Sequence, residues 1–251
     1  GLQHQDGHSH LMASTIPNCI SYDPTYSYEL ATIISSGMTR MFEDGDNVFY
    51  YITTMNENYV HPDMPEGVED GIVRGLYPLK KATKKGKKRV QLMSAGTIMR
   101  EVEAAAVILE KDYGVAADIW SMTSVNELAR DGHNVSRRNI MNPAEEPEVP
   151  YVTQCLAPTE GPIIAATDYI RAHTNQIREF MPRSFTVLGT DGFGRSDTRA
   201  QLREFFEVDR RYVVLAAMTA LAEEGVVSRA DVAKVMTDLG IDPAKPDPTT
   251  V

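Results

Sequence analysis

Three of the six histidines in this chain, His4, His8 and His10, stand within the opening run GLQHQDGHSH, interleaved with Gln3, Gln5, Asp6 and Ser9. An imidazole can take up a proton, give one up or ligate a metal near neutral pH, so this run concentrates most of the near-neutral proton chemistry of the chain. A metal reading would use His8 and His10, two residues apart, with Asp6 as a carboxylate ligand. That spacing matches no helical or finger pattern, and no cysteine joins it. A plain polar surface loop is the commoner outcome for such a run, and the residues alone leave both readings open. The run starts without methionine or a leading element, which predicts that the sequence begins inside a larger protein.

The remaining candidates are weaker. His61, His133 and His173 stand singly and are expected to be structural or exposed. GTDGFGRSD, Gly189 to Asp197, follows a predicted strand and precedes a helix, yet fits neither phosphate-loop nor dinucleotide fingerprints. Its glycines are expected to allow a tight reversal beside another backbone, the alternative being contact with a ligand or an opposing subunit.

The elements that must position these residues read as alternating strands and helices. Cys19 to Tyr22 predicts a buried strand. A helix follows, with Asp23 as N-cap, Pro24 at its first position, an apolar face from Leu30 to Phe42 and an end near Glu43. Val48 to Thr53 (VFYYIT) predicts a parallel strand covered on both faces, and MNENYVHPDMPEG a loop at its carboxyl end, where open parallel sheets hold ligands. A weaker helix over Val68 to Leu76 leads to a domain boundary near Gly75. KKATKKGKKR, seven basic residues in ten from Lys80 to Arg89, reads as a solvated linker.

Beyond it, strands are predicted over Val90 to Met93, Val115 to Ser121, Tyr151 to Cys155, Pro162 to Ala166 and Phe185 to Leu188. Helices are predicted from Thr97 as a cap, from Ser124 with Glu127 to Asp131-Gly132, and over Tyr169 to Met181. After Gly194 everything reads as helix, the last one capped by Ser228 with Asp231 and ended by Gly240. The fold class is α/β with two parallel-sheet units.

With 35 acidic against 25 basic residues and a net charge of −10, the chain lacks the basic footprint of a nucleic-acid binder. Its apolar runs are too short to span a bilayer, so no membrane is expected. Cys19 and Cys155 are the only cysteines, which fits a reducing cytoplasm better than a disulfide framework.

GLQHQDGHSH with TIPNCISYDPTYSYE, the strand YYITTMNENY, AADIWSMTSVNELARDG, and VLGTDGFGRSDTR with FFEVD together resemble the homodimeric bacterial first component of the pyruvate dehydrogenase complex. That family is thiamine-diphosphate-dependent and transketolase-like. The resemblance covers the whole chain but only the C-terminal portion of the family. It implies that residues 1–75 end a pyrimidine-binding domain and that residues 76–251 form a transketolase C-terminal-like domain.

It also implies decarboxylation of pyruvate on thiamine diphosphate with magnesium, reductive acetylation of the lipoyl group of the dihydrolipoyl acetyltransferase component, and a homodimer. His4 would be the histidine facing the thiazolium and substrate, with Asp6, His8 and His10 as possible neighbours. The Gly-Asp-Gly motif that holds diphosphate and magnesium is absent, since DGDN at Asp44 to Asn47 does not match it. The glutamate that activates the aminopyrimidine would lie upstream of Gly1. No metal site and no cofactor are therefore expected for this piece alone, and the rival expectation is a dimerisation or scaffold fragment without activity of its own.

Overall fold

A computed structural model describes residues 6–86 and 88–251, and the expectation for His4 lies outside them. A short helix, α1 (Ser9–Ser14), leads into β1 (Cys19–Tyr22), α2 (Ser27–Met38) and β2 (Phe49–Ile52). β1 and β2 pair in parallel from Cys19↔Phe49 to Tyr22↔Ile52. This is the predicted crossover unit, with two corrections.

The helix starts at Ser27, not after Asp23, because the buried Glu29 carboxylate accepts the backbone N–H of Thr25 and Tyr26 and caps the first turn from within. Asp23 is left at the end of β1 as a buried side chain. β2 is not covered on both faces either. Its residues alternate exposed and half-buried, and Phe49 is 45% exposed, because among the described residues only β1 lies beside it. As predicted, helical structure persists to Glu43, through a π turn over Thr39–Glu43.

The second unit begins after α3 (Glu69–Arg74), which stops at Gly75 in the left-handed conformation, φ 101°. Its strands are β3 (Tyr77–Lys80), β4 (Arg89–Ser94), β5 (Ala116–Ser121), β6 (Ile163–Ala166) and β7 (Phe185–Leu188). They lie in the order β3-β5-β4-β6-β7, all parallel except β3, which runs antiparallel to β5. The helices are α4 (Met99–Asp112), α5 (Val125–Met141), α6 (Tyr151–Leu156), α7 (Arg171–Asn175), α8 (Arg199–Phe205), α9 (Arg210–Glu223) and α10 (Arg229–Asp238). One face of the sheet buries Leu92 and Ile164 against α4 and α9; the other buries Met93 and Ile163 against α5 and α6. Covering on both faces explains why β6 reads as a continuous apolar run, and why Val90 to Met93 of β4 is apolar but for the buried Gln91.

β3 corrects the linker expectation. Lys80 to Arg89 joins two strands of one sheet and does not bridge two folded units. Its flanks are tied down, since Ala82 N–H donates to Asp118 Oδ1 at 2.9 Å and Thr83 N–H to Glu110 Oε1 at 2.9 Å. Lys81, Lys84, Lys85 and Lys88 are nevertheless exposed, in keeping with a solvated run.

Tyr151 to Cys155 is helix rather than strand. A strand would place Gln154 on the same face as Val152 and Leu156, whereas helical spacing buries the two apolar residues and leaves Gln154 exposed. Thr97 caps nothing; it lies in a 3-10 turn, Gly96–Ile98, ahead of α4. Ser124 does cap α5, accepting Glu127 N–H, but the helix runs on past Gly132 to Met141. A Cβ at Gly132 would lie 2.3 Å from the Phe180 ring, so this glycine admits a packing partner and is no stop signal.

Phe180 sits in a 3-10 turn, Arg178–Phe180, and this inward turn breaks the helix expected over Tyr169 to Met181. The terminal helix has its predicted capping box and ends before Gly240, φ 64°. No helix among the described residues is long and apolar enough to cross a membrane.

Candidate functional site

Asp6 organises the described end of the histidine loop. Its Oδ1 accepts the backbone N–H of His8 at 3.1 Å and of Ser9 at 2.9 Å, and its Oδ2 accepts the Ser9 hydroxyl. Partial burial works to raise the Asp6 carboxyl, but these donors outweigh it and hold the group below its ordinary value. Asp6 therefore ties down the backbone that enters α1, whose N-cap position is His8. Gly7 O accepts Ile170 N–H at 3.1 Å, which moors the loop to the second unit.

His8 and His10 part company here. His8 is exposed, whereas His10 is 2% exposed in the first turn of α1. His10 Nε2 lies 3.0 Å from Thr53 Oγ1, and Thr53 Oγ1 donates to Asp23 Oδ1 at 2.6 Å. With the threonine proton directed at Asp23, Nε2 is the donor and the imidazole is neutral. Burial pushes His10 down to about 4, against the pull of Asp6. Its ring stacks on His173, centroids 5.3 Å apart, and meets Tyr169 edge-on at 4.8 Å. His173 is also buried and pushed down to about 3, by desolvation first and then by His10. Asp23 is pushed up to about 7 by burial, which outweighs the Thr53 hydrogen bond. Asn126 Nδ2 holds the His10 carbonyl at 2.8 Å.

These residues converge on the carboxyl ends of β1, β2 and β6, the edge where parallel sheets hold ligands. A cavity of ≈ 510 Å³ opens there, with Asp6, His8, Asp168, Arg199, Arg203 and Phe193 on its walls. Asp168, just past β6, accepts Thr97 Oγ1 at 3.2 Å, and desolvation raises its carboxyl against the attraction of Arg203. Glu57, in the loop after β2, is gripped by Arg100, Arg199 and Arg203, so that loop is fastened to α4 and α8. The cavity's two arginines are thus already engaged, Arg203 with Glu101 as well.

The glycine loop makes the tight reversal expected from its sequence. A Cβ at Gly192, φ 105°, would lie 2.6 Å from the Pro248 carbonyl, so the chain does reverse tightly beside another backbone; Gly192, Phe193 and Gly194 also line the cavity. Among the described residues no three His, Cys, Asp or Glu side chains are grouped to hold a metal ion. His61 Nδ1 accepts Ser27 N–H at 2.9 Å, His133 is exposed and His173 is buried, all within the structural or exposed expectation. Sequence reasoning missed Thr53, Tyr169 and His173 as neighbours of His10, and cast Asp23 as a helix cap. No spacing signal joins residues brought together from four separate elements.

Comparison with known proteins agrees with this layout. Residues 1–62 match the pyruvate dehydrogenase E1 component middle domain, and residues 75–209 match the transketolase-like TK C-terminal domain. The chain is 54% identical over 252 residues to the pyruvate dehydrogenase E1 component of Cupriavidus necator, covering 100% of this chain and 28% of that protein. For the same component of Pseudomonas aeruginosa the identity is 55% over 249 residues, covering 99% and 28%. The chain thus spans about 28% of the length of these curated relatives. In fold it is similar to transketolase from Leishmania mexicana, TM-score 0.61 at 15% identity, over 89% of this chain and 28% of that one.

Proposed function

The chain belongs to the transketolase-like family and matches bacterial pyruvate dehydrogenase E1 components along its whole length, and from that premise we propose that it is part of such a component. The complete protein would decarboxylate pyruvate on thiamine diphosphate with magnesium and reductively acetylate the lipoyl group of a dihydrolipoyl acetyltransferase, as a cytoplasmic homodimer. The observation that carries the reading is the succession of two family matches, 1–62 and 75–209, in one chain about half identical to those enzymes. We divide the chain at residue 75, with 1–75 ending the pyrimidine-binding domain and 76–251 forming the transketolase C-terminal-like domain. The stop of α3 at Gly75 and the pairing of β3 into the five-stranded sheet support that division.

A 2-oxo acid loses carbon dioxide only when an electron sink accepts the developing carbanion, and bound thiamine diphosphate supplies it. The described residues do not fit a diphosphate and magnesium site. They offer no ligand cluster, and the cavity arginines are already paired with Glu57 and Glu101. Those ligands we assign to other parts of the complete protein, so the 251-residue piece by itself is expected to bind no magnesium-dependent thiamine diphosphate. What this chain contributes is proton and charge management from His4, in the family position that faces the reacting atoms, with Asp6 shaping the following turn and His8 on the cavity wall. His10 we move from neighbour to support, since it is buried and neutral. A second reading, a dimerisation or scaffold piece inactive alone, is favoured by the exposed apolar side chains Phe42, Phe49 and Tyr51, which suit cover by further protein.

The test is His4→Ala in the complete enzyme. Turnover should fall by about two to four orders of magnitude, with dimer and melting temperature retained. His61→Ala, which removes a helix-end acceptor remote from the loop, is the control. Near wild-type turnover in His4→Ala, or its collapse in proportion to lost folded dimer, overturns the assignment.

A further inference from the structure

We infer that Asp23, acting through Thr53 on His10, is a positioning residue for the turn that carries Asp6 and His8, an inference that rests on the function proposed above. The three side chains come from the end of β1, the end of β2 and the first turn of α1, and they make one continuous chain of hydrogen bonds, 2.6 Å and 3.0 Å long. When Asp23 is ionised its carboxylate can only accept, and this sets the direction of the chain. Thr53 must then donate to Asp23, which leaves its lone pair for the Nε2–H of His10.

His10 is clasped on its other sides as well. Asn126 holds its carbonyl, and Gln176 Nε2 in turn donates to Asn126 Oδ1 at 3.1 Å. His173 and Tyr169 cover the ring.

This cluster is no second ligand site. The void enclosed by His10, Asp23, Thr123, Thr167 and His173 measures ≈ 10 Å³, at the lower limit for one water molecule. A burial this complete, with polar groups satisfied by one another, specifies position. What it positions is the adjacent turn. Only Ser9 separates His10 from the cavity-lining stretch Asp6 to His8, and this short stretch is held by the Asp6 side chain on Ser9 N–H and by the Ile170 N–H bond to Gly7 O. A shift of His10 is therefore passed to His8 and Asp6 on the cavity wall, with little slack to absorb it.

The experiment uses Thr53→Val in the complete enzyme, a nearly isosteric change that removes the side-chain hydrogen bonds to His10, to Asp23 and to the Tyr22 carbonyl. Thr53→Ser restores them. Thr153→Val serves as the control for losing a threonine hydroxyl, since Thr153 Oγ1 donates to Phe180 O at 2.6 Å and lines neither the cavity nor the void beside His10. Turnover is measured per bound thiamine diphosphate, so that lost folding or lost cofactor does not count as lost rate.

The expected result is a fall of about tenfold to a hundredfold in kcat per loaded site for Thr53→Val, with KM for pyruvate changed less than about twofold and most of the rate recovered in Thr53→Ser. Thr153→Val should lower the melting temperature without lowering kcat per loaded site. A Thr53→Val enzyme that keeps its rate per site, or loses no more than Thr153→Val, overturns the inference. His4→Ala measured alongside separates the two levels. Loss there with none in Thr53→Val removes this inference alone, whereas full turnover in His4→Ala removes the assignment beneath it.

Discussion

In the five-stranded sheet, β4 and β6 are buried along almost their whole length between helices on either face, whereas in the β1–β2 pair only β1 is buried and β2 presents Phe49 and Tyr51 outward. Both are parallel, strand-helix-strand constructions with apolar strands. They differ in how much of their cover this chain supplies. The larger sheet carries its own helical layers; the smaller one leaves Ile34, Met38, Phe42 and Phe49 open. Apolar sequence thus declares that a strand wants cover, but says nothing of which polypeptide provides it.

The sharpest way to break this contrast is a pair of truncations. Leu92→Ala, in the fully buried middle of β4, should destabilise the chain by about 2–5 kcal/mol, because it leaves a cavity in a packed layer. Phe49→Ser should cost within about 0.5 kcal/mol, as at ordinary surface sites. Chemical denaturation of both variants measures the difference. A Phe49 cost near that of Leu92 would mean that the β2 face is covered in solution.

A smaller effect is expected where the two sheets are clamped together. Glu57 accepts hydrogen bonds from Arg100 and Arg203 and forms an ion pair with Arg199 at 3.4 Å, while its side chain is only 16% exposed. Replacing it by Gln removes the charge and should cost about 2 kcal/mol, since hydrogen bonds to ionised groups carry more than neutral ones. The same variant should expose the 53–66 loop to protease sooner, while leaving cleavage in the Lys80 to Arg89 run unchanged.

The smallest effect is in pH dependence. His10 and His173 sit near 4 and 3 in the fold against an ordinary 6.5, so once the chain unfolds they take up protons that the fold refuses. Their contribution is present above about pH 6.5 and is lost as pH falls toward 4 and 3. Asp23 works in the opposite sense: raised to about 7 from 3.8, it is protonated in the fold before it is in the unfolded chain, so it adds stability as pH falls through 7. The two histidines thus pull stability down on acidification, while Asp23 and the other carboxyls raised by burial, Glu29, Glu127 and Asp168, pull it up. His173→Gln should make the melting temperature fall less, and Asp23→Asn make it fall more, between pH 7 and 4 than in the unchanged protein.

Much of the larger sheet was legible because burial on both faces writes itself as apolar runs, unbroken at Pro162 to Ala166 and interrupted only by Gln91 at Val90 to Met93. β3 was not. YPLK is short, holds a proline and depends on its antiparallel partner β5 for its conformation, so nothing local declares a strand. Tyr151 to Cys155 failed for the opposite reason: its β-branched and aromatic residues suggest a strand, and only the burial of Val152 with Leu156 selects the helix. In the candidate site, the loop run pointed to a stretch of which Asp6 and His8 line the cavity. The support behind it did not show, because His10, Asp23, Thr53 and His173 lie far apart in sequence and each has a blander local explanation.

The β3–β5 pairing gives the lysine run a role in how this chain could be divided. Tyr77 and Pro78 stand opposite Ser121 and Trp120, and Tyr77 is buried with its hydroxyl donating to Glu29 at 2.6 Å. Severing the backbone among Lys81, Lys84 and Lys85 would leave that strand seated, its neighbours unchanged, and two polypeptides interlocked without a covalent bond. Such a nicked molecule would give two bands when denatured and one species when native. The same break, written into a gene as a stop and a restart, would yield two halves able to find each other through that edge strand and through the contacts of His10 with Asn126 and of Glu57 with Arg100 and Arg203.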